Sequence, residues 1–342
     1  MGVPSAPRVS VLLPVYDAAT TLEQTLASLW TQTCGDFEVV AVDDGSTDGS
    51  GDLLKRQARG EGRLRPIRTA HAGLIPALNR GLEACRGEYV ARMDADDVAH
   101  PQRLARQVAL LDSDRGLSVA SCLVRSFPPG QVGEGFRIYE TWLNSLVTNE
   151  DVSREIFIES PIPHPTAVVR RGELLELGGY RDVGWPEDYD LWLRYHAAGR
   201  TFAKVPDVLL SWREHPGRLT HTDSRYSVEN FLRAKAHFLA AGPLRGREVF
   251  VWGAGKTGRR LSKHLIREGA APVAFVDIAP DKIGGTLKGA PIVGADNLRP
   301  RWEGATHPFM VVAVASRGAR QLIRQALADR GLVEVRDYLC AA

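Results

Sequence analysis

Short hydrophobic runs alternate with longer amphipathic stretches over the first hundred residues. Four runs have the length and composition of buried strands, over residues 9–13, 37–42, 64–67 and 89–93. Between them, hydrophobic residues return at helical spacing, as at Leu22, Leu26 and Leu29. We expect the first strand to stop at Pro14, because proline has no backbone N–H. This alternation predicts a parallel, doubly wound sheet and an α/β fold.

Polar residues mark the start of the first two helical stretches. Thr20 or Thr21 can cap the first helix, and Ser46, Thr47 or Asp48 can cap the second. Such side chains accept hydrogen bonds from the free N–H groups of a first helical turn. The three predicted helices cover residues 20–30, the stretch up to residue 59, and residues 75–84.

Three carboxylates follow the fourth predicted strand, at Asp94, Asp96 and Asp97. Because they repel one another, a fold that keeps them together usually supplies a cation. Oxygen ligands suit Mg²⁺ or Mn²⁺, and substrate phosphates can complete the metal's shell. An isolated Asp-x-Asp is more often a solvated acidic turn. The position at the end of a buried strand favours a metal site, since open α/β sheets bind ligands there.

A second acidic stretch, Asp43 and Asp44, follows the second strand. Alone, it is equally well a turn with a helix cap. In a doubly wound sheet these strand ends share one edge, so residues 14–17, 43–46 and 94–97 should line one crevice. Asp43 can accept a hydrogen bond from a base N–H or a ribose hydroxyl, and the metal can carry a diphosphate. Together these features describe a sugar-nucleotide site.

Length and composition are ordinary for a soluble protein of two domains, with 342 residues, 44% hydrophobic and 25% charged. A net charge of +2 gives no argument for nucleic acid. We find no signal peptide and no apolar run near the roughly 20 residues that span a bilayer. The four dispersed cysteines indicate reduced thiols, not a disulfide framework or a zinc site. We therefore expect a cytoplasmic protein without a transmembrane segment.

The C-terminal part opens with a predicted strand over residues 248–252, which runs into Gly253, Gly255 and Gly258. A helix and a second strand follow, and the strand ends at Asp277. Glycines at this spacing between a strand and a helix, with an acid about 20 positions on, are the dinucleotide-binding pattern. The pattern suits a diphosphate at the helix N-terminus.

A predicted helix over residues 224–241 ends before Gly242, which marks a domain boundary. The expected organisation is a first domain over residues 1–222, a helical linker over 223–246 and a nucleotide-binding domain over 247–342.

The first 220 or so residues resemble the inverting glycosyltransferases called family 2, which have the GT-A fold with a doubly wound mixed sheet. No single motif is decisive, but the ordered set is very specific. The set comprises Pro14-Val15-Tyr16-Asp17, residues 38–48, Gly73, Ala77-Leu78-Asn79, residues 87–89, Arg92-Met93-Asp94-Ala95-Asp96-Asp97, residues 101–104, His164-Pro165-Thr166, residues 178–181, residues 187–194 and residues 212–215.

The resemblance implies a role for each matched residue. Asp43 would hold the base, and Asp94 the ribose or the metal. Asp96 would be the principal ligand of Mn²⁺ or Mg²⁺, with His215 near the diphosphate as a further ligand. Asp188 would be the general base. The other implied donor-site residues are Pro14, Val15, Tyr16, Asp17, Asp44, Gly73, Asn79, Arg92 and Ala95, and the implied acceptor-side or supporting residues are Trp185, Glu187 and His164.

The implied reaction moves a sugar from a nucleotide-diphospho-sugar, most often a UDP-sugar, to a hydroxyl of a glycan or lipid-linked acceptor. Asp188 would take the proton as the hydroxyl attacks from the face opposite the nucleotide, which inverts the anomeric centre. Arg213, or a protonated His215, would help to neutralise the leaving group, with His221 as a second candidate. His164 is more simply explained as a hydrogen-bonded structural histidine. A lipid-linked acceptor would favour peripheral association with the inner membrane face.

Two departures from the family pattern concern the donor pocket. Asp17 and His71 stand where the family commonly has asparagine.

The segment from Phe275 to Gly294 is similar to the small Rossmann-like domain of bacterial sugar acyltransferases, which binds a nucleotide sugar. No hexapeptide repeats of an acyltransferase follow it. We expect the C-terminal domain to be either a nucleotide-binding or regulatory module, or one retained for packing or for a homodimer. An active dehydrogenase is less favoured than either, because the domain is too short to add a hydride-acceptor pocket.

Two other functions fit parts of the pattern. One is a non-catalytic binding protein, in which the C-terminal domain senses a nucleotide sugar. The intact set of Asp94, Asp96, Asp188 and His215 argues against it. The other is a sugar nucleotidyltransferase, which would want a glycine-rich basic loop after the first strand, where this chain has residues 14–17.

Overall fold

The computed structural model describes residues 6–342, which divide into two compact units. The first unit comprises the chain up to residue 152 with residues 161–183 and 194–222. The second comprises residues 153–160, 184–193 and 223–342. The sequence-based domain limits stay a prediction.

Eight strands form the sheet of the first unit: β1 (Val9–Val15), β2 (Phe37–Asp44), β3 (Leu64–Thr69), β4 (Tyr89–Arg92), β5 (Val98–Ala99), β6 (Leu117–Phe127), β7 (Val168–Arg170) and β8 (Thr201–Arg213). Their order is β3-β2-β1-β4-β7-β6-β8-β5. The pairs β1·β2, β1·β4, β2·β3 and β6·β8 are parallel. Strand β7 is antiparallel to β4 and β6, as β5 is to β8. The predicted α/β class with a mixed sheet is confirmed.

Nine α-helices lie between residues 6 and 222 of the described chain: α1 (Leu22–Trp30), α2 (Ser50–Gly60), α3 (Leu74–Ala84), α4 (Arg103–Ser113), α5 (Glu134–Ser145), α6 (Asn149–Glu155), α7 (Arg171–Glu176), α8 (Glu187–Ala197) and α9 (Leu219–Thr222). Leu22, Leu26 and Leu29 of α1 are fully buried in one core with the strand residues Val9 and Val11. Burying a side chain of this kind contributes about 2 kcal/mol. The helical period of α1 therefore fixes the face that packs on the sheet.

Strand β1 continues through Pro14 to Val15, so the expected stop at the proline is wrong. Strand β4 pairs with β1 only as far as Leu12, whereas β2 pairs along its whole length. Because β1 does not pair with β4 beyond Leu12, the missing N–H of Pro14 removes no hydrogen bond between these two strands. Strand β1 therefore tolerates the proline.

The predicted helix caps also differ from the structure. Thr21 occupies the N-cap position of α1, but its side chain makes no capping hydrogen bond. Helix α2 begins at Ser50 after Gly49, and Asp48 accepts hydrogen bonds from the backbone N–H and the hydroxyl of Ser50. The Thr21 hydroxyl donates instead to a backbone carbonyl of a nearby loop.

The second unit contains a six-stranded sheet made of β9 (Glu248–Trp252), β10 (Pro272–Asp277), β11 (Thr286–Leu287), β12 (Ala290–Gly294), β13 (Pro308–Val312) and β14 (Tyr338–Cys340). The order β11-β12-β10-β9-β13-β14 places the first strand, β9, in the middle, and only β11 is antiparallel to its neighbour. The α-helices after residue 222 are α10 (Val228–Ala241), α11 (Lys256–Arg267), α12 (Leu298–Glu303) and α13 (Ala319–Ala328). Helix α10 starts later than predicted, after a 3-10 turn over Ser224–Tyr226.

Two expectations drawn from composition concern the cysteines and membranes. All four cysteines are free thiols, in agreement with the sequence. Within residues 6–342, no helix combines the length and the apolar character needed to cross a bilayer. The expected location in the cytoplasm stays a prediction.

Candidate functional site

The three carboxylates after β4 lie together in the folded chain. Asp94, Asp96 and Asp97 each offer one oxygen, and these atoms lie within 4.8 Å of one another. His215 joins the group, since its Nε2 lies 2.9 Å from Oδ2 of Asp96. The structure therefore brings together the predicted metal ligands Asp94, Asp96 and His215, and it adds Asp97.

Helix α1 and strand β8 hold the backbone of this acidic loop. The hydroxyls of Thr21 and Thr25 donate to the carbonyls of Ala95 and Asp97, at 3.0 and 2.8 Å. The backbone N–H of Arg213 donates to Asp97 Oδ1 at 2.7 Å, and its Nε donates to the Asp96 carbonyl. These bonds hold the backbone of the loop and the carboxylate of Asp97 in place.

Two buried arginines stand behind the loop. Arg92 donates to Asp94 Oδ1 at 2.6 Å. Arg103, only 1% exposed, donates to the Arg92 carbonyl at 2.6 Å. Burial lowers the pKa of Arg103, while the nearby carboxylates, Asp97 among them, oppose that change. These cations offset part of the negative charge in the loop.

The carboxylates of the loop are costly to ionise together. Burial raises the pKa of Asp96, the charge of Asp94 adds to this, and the contact with His215 opposes it. Burial and the charges of Asp96 and Asp94 raise the pKa of Asp97 well above its usual range. Among the described residues, Asp97 Oδ2 is buried without a hydrogen-bond partner. A buried carboxylate oxygen that lacks a donor is suited to a cation.

The two aspartates after β2 are buried and bonded to the loops around them. Asp43 Oδ1 accepts from the Ser46 N–H at 2.9 Å, and its Oδ2 lies 3.5 Å from a guanidinium nitrogen of Arg68. Asp44 accepts from the backbone N–H groups of Ala72 and Gly73. Asp44 thus ties the end of β2 to the loop that contains Gly73.

Tyr16 and His71 form an exposed aromatic pair at the same edge of the sheet. Their rings are stacked at 4.1 Å and 22°, and Tyr16 is 50% exposed. His71 Nδ1 lies 2.9 Å from Asp44 Oδ2. Asp17 has a left-handed backbone, φ 45°, and it accepts from the Thr47 N–H at 2.8 Å. Pro14 and Val15 are buried in the strand that leads to this pair.

Other predicted residues of this unit have structural contacts. Asn79 uses both ends of its amide on the backbone of Tyr180, at 2.8 and 3.0 Å. His164 is buried, and its Nε2 lies 3.2 Å from the Tyr180 hydroxyl. Burial, together with the charge of Arg92, lowers the pKa of His164 well below its usual range, so the ring is neutral at pH 7. His221 contacts Glu214 at 2.5 Å.

The predicted general base belongs to the second unit. Asp188 lies in the first turn of α8 and accepts from the Tyr189 N–H at 2.7 Å. Burial and the neighbouring charge of Glu187 raise the pKa of Asp188 to about 8. The indole N–H of Trp185 donates to Asp190 at 3.1 Å. A carboxylate with this pKa can accept a proton near neutral pH.

The glycine-rich loop after β9 has a geometry that only glycine allows. Gly253 has φ 115°, and a Cβ on Gly258 would lie 1.8 Å from the Gly253 carbonyl oxygen. Gly255 has open space beside it. Asp277 accepts from the N–H groups of Ala254 and Ala279, both at 2.9 Å. Burial alone would raise the pKa of Asp277, but these donors and Lys282 hold it below the usual range.

Sequence reasoning missed the residues that support the site. Thr25 and Arg103 are ordinary positions of helical stretches, and their contacts with the acidic loop depend on the fold. Arg103 stands within a matched motif, at residues 101–104, which is the one signal that could have singled it out. Tyr226, whose hydroxyl lies 2.9 Å from Glu187, has no such signal.

The chain is similar to several known proteins. The sequence profile of glycosyl transferase family 2 matches residues 10–178. The amylovoran biosynthesis glycosyltransferase AmsE of Erwinia amylovora is 33% identical over 210 residues, which are 60% of this chain and 75% of AmsE. EpsE of Bacillus subtilis strain 168, which is named a putative glycosyltransferase, is 31% identical over 231 residues, or 66% of this chain and 80% of EpsE.

A solved structure shares the fold. The chain superposes on S. aureus TarS 1-349 in complex with UDP with a TM-score of 0.55 and 19% identity. The match covers 76% of this chain and 71% of that one. A complex of the same protein with UDP-GlcNAc gives a TM-score of 0.56.

Proposed function

Because this chain belongs to glycosyl transferase family 2 and is a glycosyltransferase, we propose that it transfers a hexosyl group with inversion from a UDP-sugar. The acceptor would be a hydroxyl of a glycan or of a lipid-linked sugar. The group of three carboxylates and His215 carries the proposal. The association of AmsE with amylovoran biosynthesis supports a glycan acceptor, and the complexes of TarS with UDP and UDP-GlcNAc support a uridine nucleotide.

The residues of the acidic loop fit a divalent metal such as Mn²⁺ or Mg²⁺. Asp94, Asp96 and Asp97 supply oxygens, His215 supplies a nitrogen, and Asp97 Oδ2 is a buried oxygen without a donor among the described residues. A bound divalent cation would stabilise negative charge on the diphosphate. Arg92 and Arg213 keep the loop in position for it. We expect a bound divalent cation to reduce the electrostatic free-energy cost of ionising these carboxylates together.

The exposed ring pair is the proposed contact for the donor base. Tyr16 offers an accessible aromatic face, and His71 lies against it at 4.1 Å. Asp43 stays the proposed acceptor for a base N–H, with Arg68 beside it. His71 and Asp17 replace the asparagines common in the family, so the base and sugar specificity of this chain are expected to depend on them.

Asp188 is the proposed general base. It would remove the proton of the acceptor hydroxyl as that oxygen attacks the anomeric carbon from the side opposite the diphosphate. A single displacement of this kind inverts the anomeric centre and needs no covalent enzyme intermediate. The raised pKa of Asp188, about 8, makes it a stronger base than an ordinary aspartate. Turnover should therefore rise with pH toward that value.

We also propose that the C-terminal domain over residues 247–342 is a Rossmann-like module for a nucleotide or for self-association. The closely packed Gly253 and Gly258 support the first role, and the loop bonds of Asp277 are equally consistent with packing alone. Peripheral association with the inner membrane face stays part of the proposal for a lipid-linked acceptor.

The test compares Asp188→Asn and Asp96→Asn with the unaltered chain. Donor binding is measured calorimetrically with UDP-sugars and Mn²⁺, and transfer is measured as UDP release with acceptor glycans. Asp188→Asn should lose turnover by about 100-fold or more and keep donor affinity. Asp96→Asn should lose metal-dependent donor binding. Full turnover by Asp188→Asn would refute its role as the base, whereas donor binding without turnover by the unaltered chain would favour a sensor.

A further inference from the structure

Glu187 places a second buried carboxylate next to the proposed base. Its side chain is 1% exposed at the start of α8. The Tyr226 hydroxyl lies 3.1 Å from Oε1 and 2.9 Å from Oε2 of this carboxylate. A guanidinium nitrogen of Arg225 lies 3.7 Å from Oε2. The short segment that contains Arg225 and Tyr226 thus places one neutral donor and one cation near the Glu187 carboxylate.

That segment lies outside the part of the chain that the family profile matches, residues 10–178. It forms a 3-10 turn, in which Asp223 accepts from the Arg225 N–H at 2.8 Å. The Tyr226 N–H donates to the Asp223 carbonyl at 3.1 Å. The turn therefore presents the Tyr226 hydroxyl from a fixed backbone.

Side chains of helix α10 contact the residues on either side of Glu187 and Asp188. Phe231 packs against Tyr189 with ring centroids 5.3 Å apart. The ring of Trp185 contacts His237, at a centroid distance of 5.6 Å, and the guanidinium of Arg233, also at 5.6 Å. The residues before and after Glu187 and Asp188 are thus held by side chains that follow residue 222.

The charges around this pair come from three elements. Glu187 and Asp188 are neighbours on α8, Glu159 belongs to the segment before it, and Arg225 comes from the 3-10 turn. Lys235 of α10 faces Glu159 and donates to the carbonyls of Ile158 and Ala341. Burial and the charge of Glu187 raise the pKa of Tyr226 well above its usual range, so its hydroxyl stays a donor.

We propose that Tyr226 is a positioning residue, which holds the Glu187 carboxylate beside Asp188 and thereby strengthens Asp188 as a base. The inference rests on the proposed function. Without the hydroxyl, the buried Glu187 loses the donor that faces both its oxygens, and its negative charge becomes costly. Glu187 then turns away or takes up a proton, and either change removes a like charge from the neighbourhood of Asp188. Asp188 becomes a more acidic, weaker base.

The experiment measures kcat and KM of Tyr226→Phe between pH 5.5 and 9.5 with a UDP-sugar and acceptor. We expect the acid limb of kcat to move down by about one pH unit and the alkaline plateau to fall several-fold. KM for the donor should not change. Glu187→Gln should move the limb in the same direction, because it removes the same charge. Tyr338→Phe in β14 is the matched control, a tyrosine of the same unit, and its profile should equal that of the unaltered chain.

An acid limb of Tyr226→Phe at the pH of the unaltered chain would overturn the inference, provided that circular dichroism shows a folded variant. If Tyr226→Phe does not fold, Glu187→Gln decides the matter by the same criterion. Asp188→Asn separates the two proposals. If Asp188→Asn is inactive while the acid limb of Tyr226→Phe does not move, only the positioning role is wrong. If Asp188→Asn remains active, the assignment of Asp188 as the base fails, and the positioning role fails with it.

Discussion

Lys204 of β8 is a buried lysine whose removal should stabilise the first unit in a pH-dependent way. Its side chain is 3% exposed, and its Nζ donates to the Leu143 carbonyl at 2.6 Å. That carbonyl lies in the last turn of α5, where a cation is favoured. Burial nevertheless lowers the pKa of Lys204 from 10.5 to about 7, and the nearby Cys122 and Asp151 oppose the change only in part.

The size of the effect follows from this pKa. A tenfold change in proton affinity corresponds to about 1.4 kcal/mol. The fall from 10.5 to about 7 therefore makes the charged lysine cost the folded state about 5 kcal/mol below pH 7. Between pH 7 and 10.5 the unfolded chain binds the proton more tightly, so stability rises with pH. At pH 9 the remaining cost is about 2 kcal/mol.

Lys204→Met removes this cost together with the bond to Leu143, which contributes about 1 kcal/mol. The variant should be more stable by about 4 kcal/mol at pH 6.5 and by about 1 kcal/mol at pH 9. Hydrogen exchange in urea, followed in peptides from β6 and β8, measures the stability of this unit. Lys55→Met is the control, because the Lys55 side chain is 57% exposed and should show no such dependence. A gain from Lys204→Met that is equal at both pH values would refute the reasoning.

Three further changes test other parts of the structure. Gly258→Ala should destabilise the second unit by about 3 kcal/mol in urea unfolding, because the added Cβ would meet the Gly253 carbonyl. Gly255→Ala is the control and should be nearly neutral. Equal stability of the two variants would contradict the close approach of Gly258 to the Gly253 carbonyl. Thr25→Val should weaken Mn²⁺ binding about fivefold in calorimetry, since the Asp97 carbonyl loses its donor at 2.8 Å; unchanged affinity would show that the hydroxyl does not position the loop. The pKa of His164 lies below its usual 6.5 in the folded chain, so the unfolded chain takes up the proton first and stability should fall as pH drops below 6.5. His164→Gln should flatten that fall in urea unfolding, and an unaltered slope would exclude His164 as its source.

The sequence predicted the part of the site that depends on strand order. Asp94 and Asp96 follow β4, the residues after β1 and β2 share that edge, and parallel pairing brings them together. It did not predict that the Asn79 amide would bond the backbone of Tyr180, or that Asp277 would accept from the N–H groups of Ala254 and Ala279. A motif gives the residue type and its place on the sheet, but a hydrogen-bond partner depends on which chain segment lies opposite.

The hydrophobic period by itself determined the α/β class, since buried strands and amphipathic helices each require their own spacing of apolar residues. The acidic residues that follow two of the predicted strands indicated the edge of the sheet where the proposed site lies. The tertiary structure alone decided which residues make that edge rigid and charged. Thr25 and Tyr226 lie far in sequence from their partners, the Asp97 carbonyl and the Glu187 carboxylate, and Arg103 reaches back from α4 to the Arg92 carbonyl of β4. Hydrogen bonds and buried charges act over a few ångströms, so their partners are set by the folded backbone and not by the order of residues along the chain.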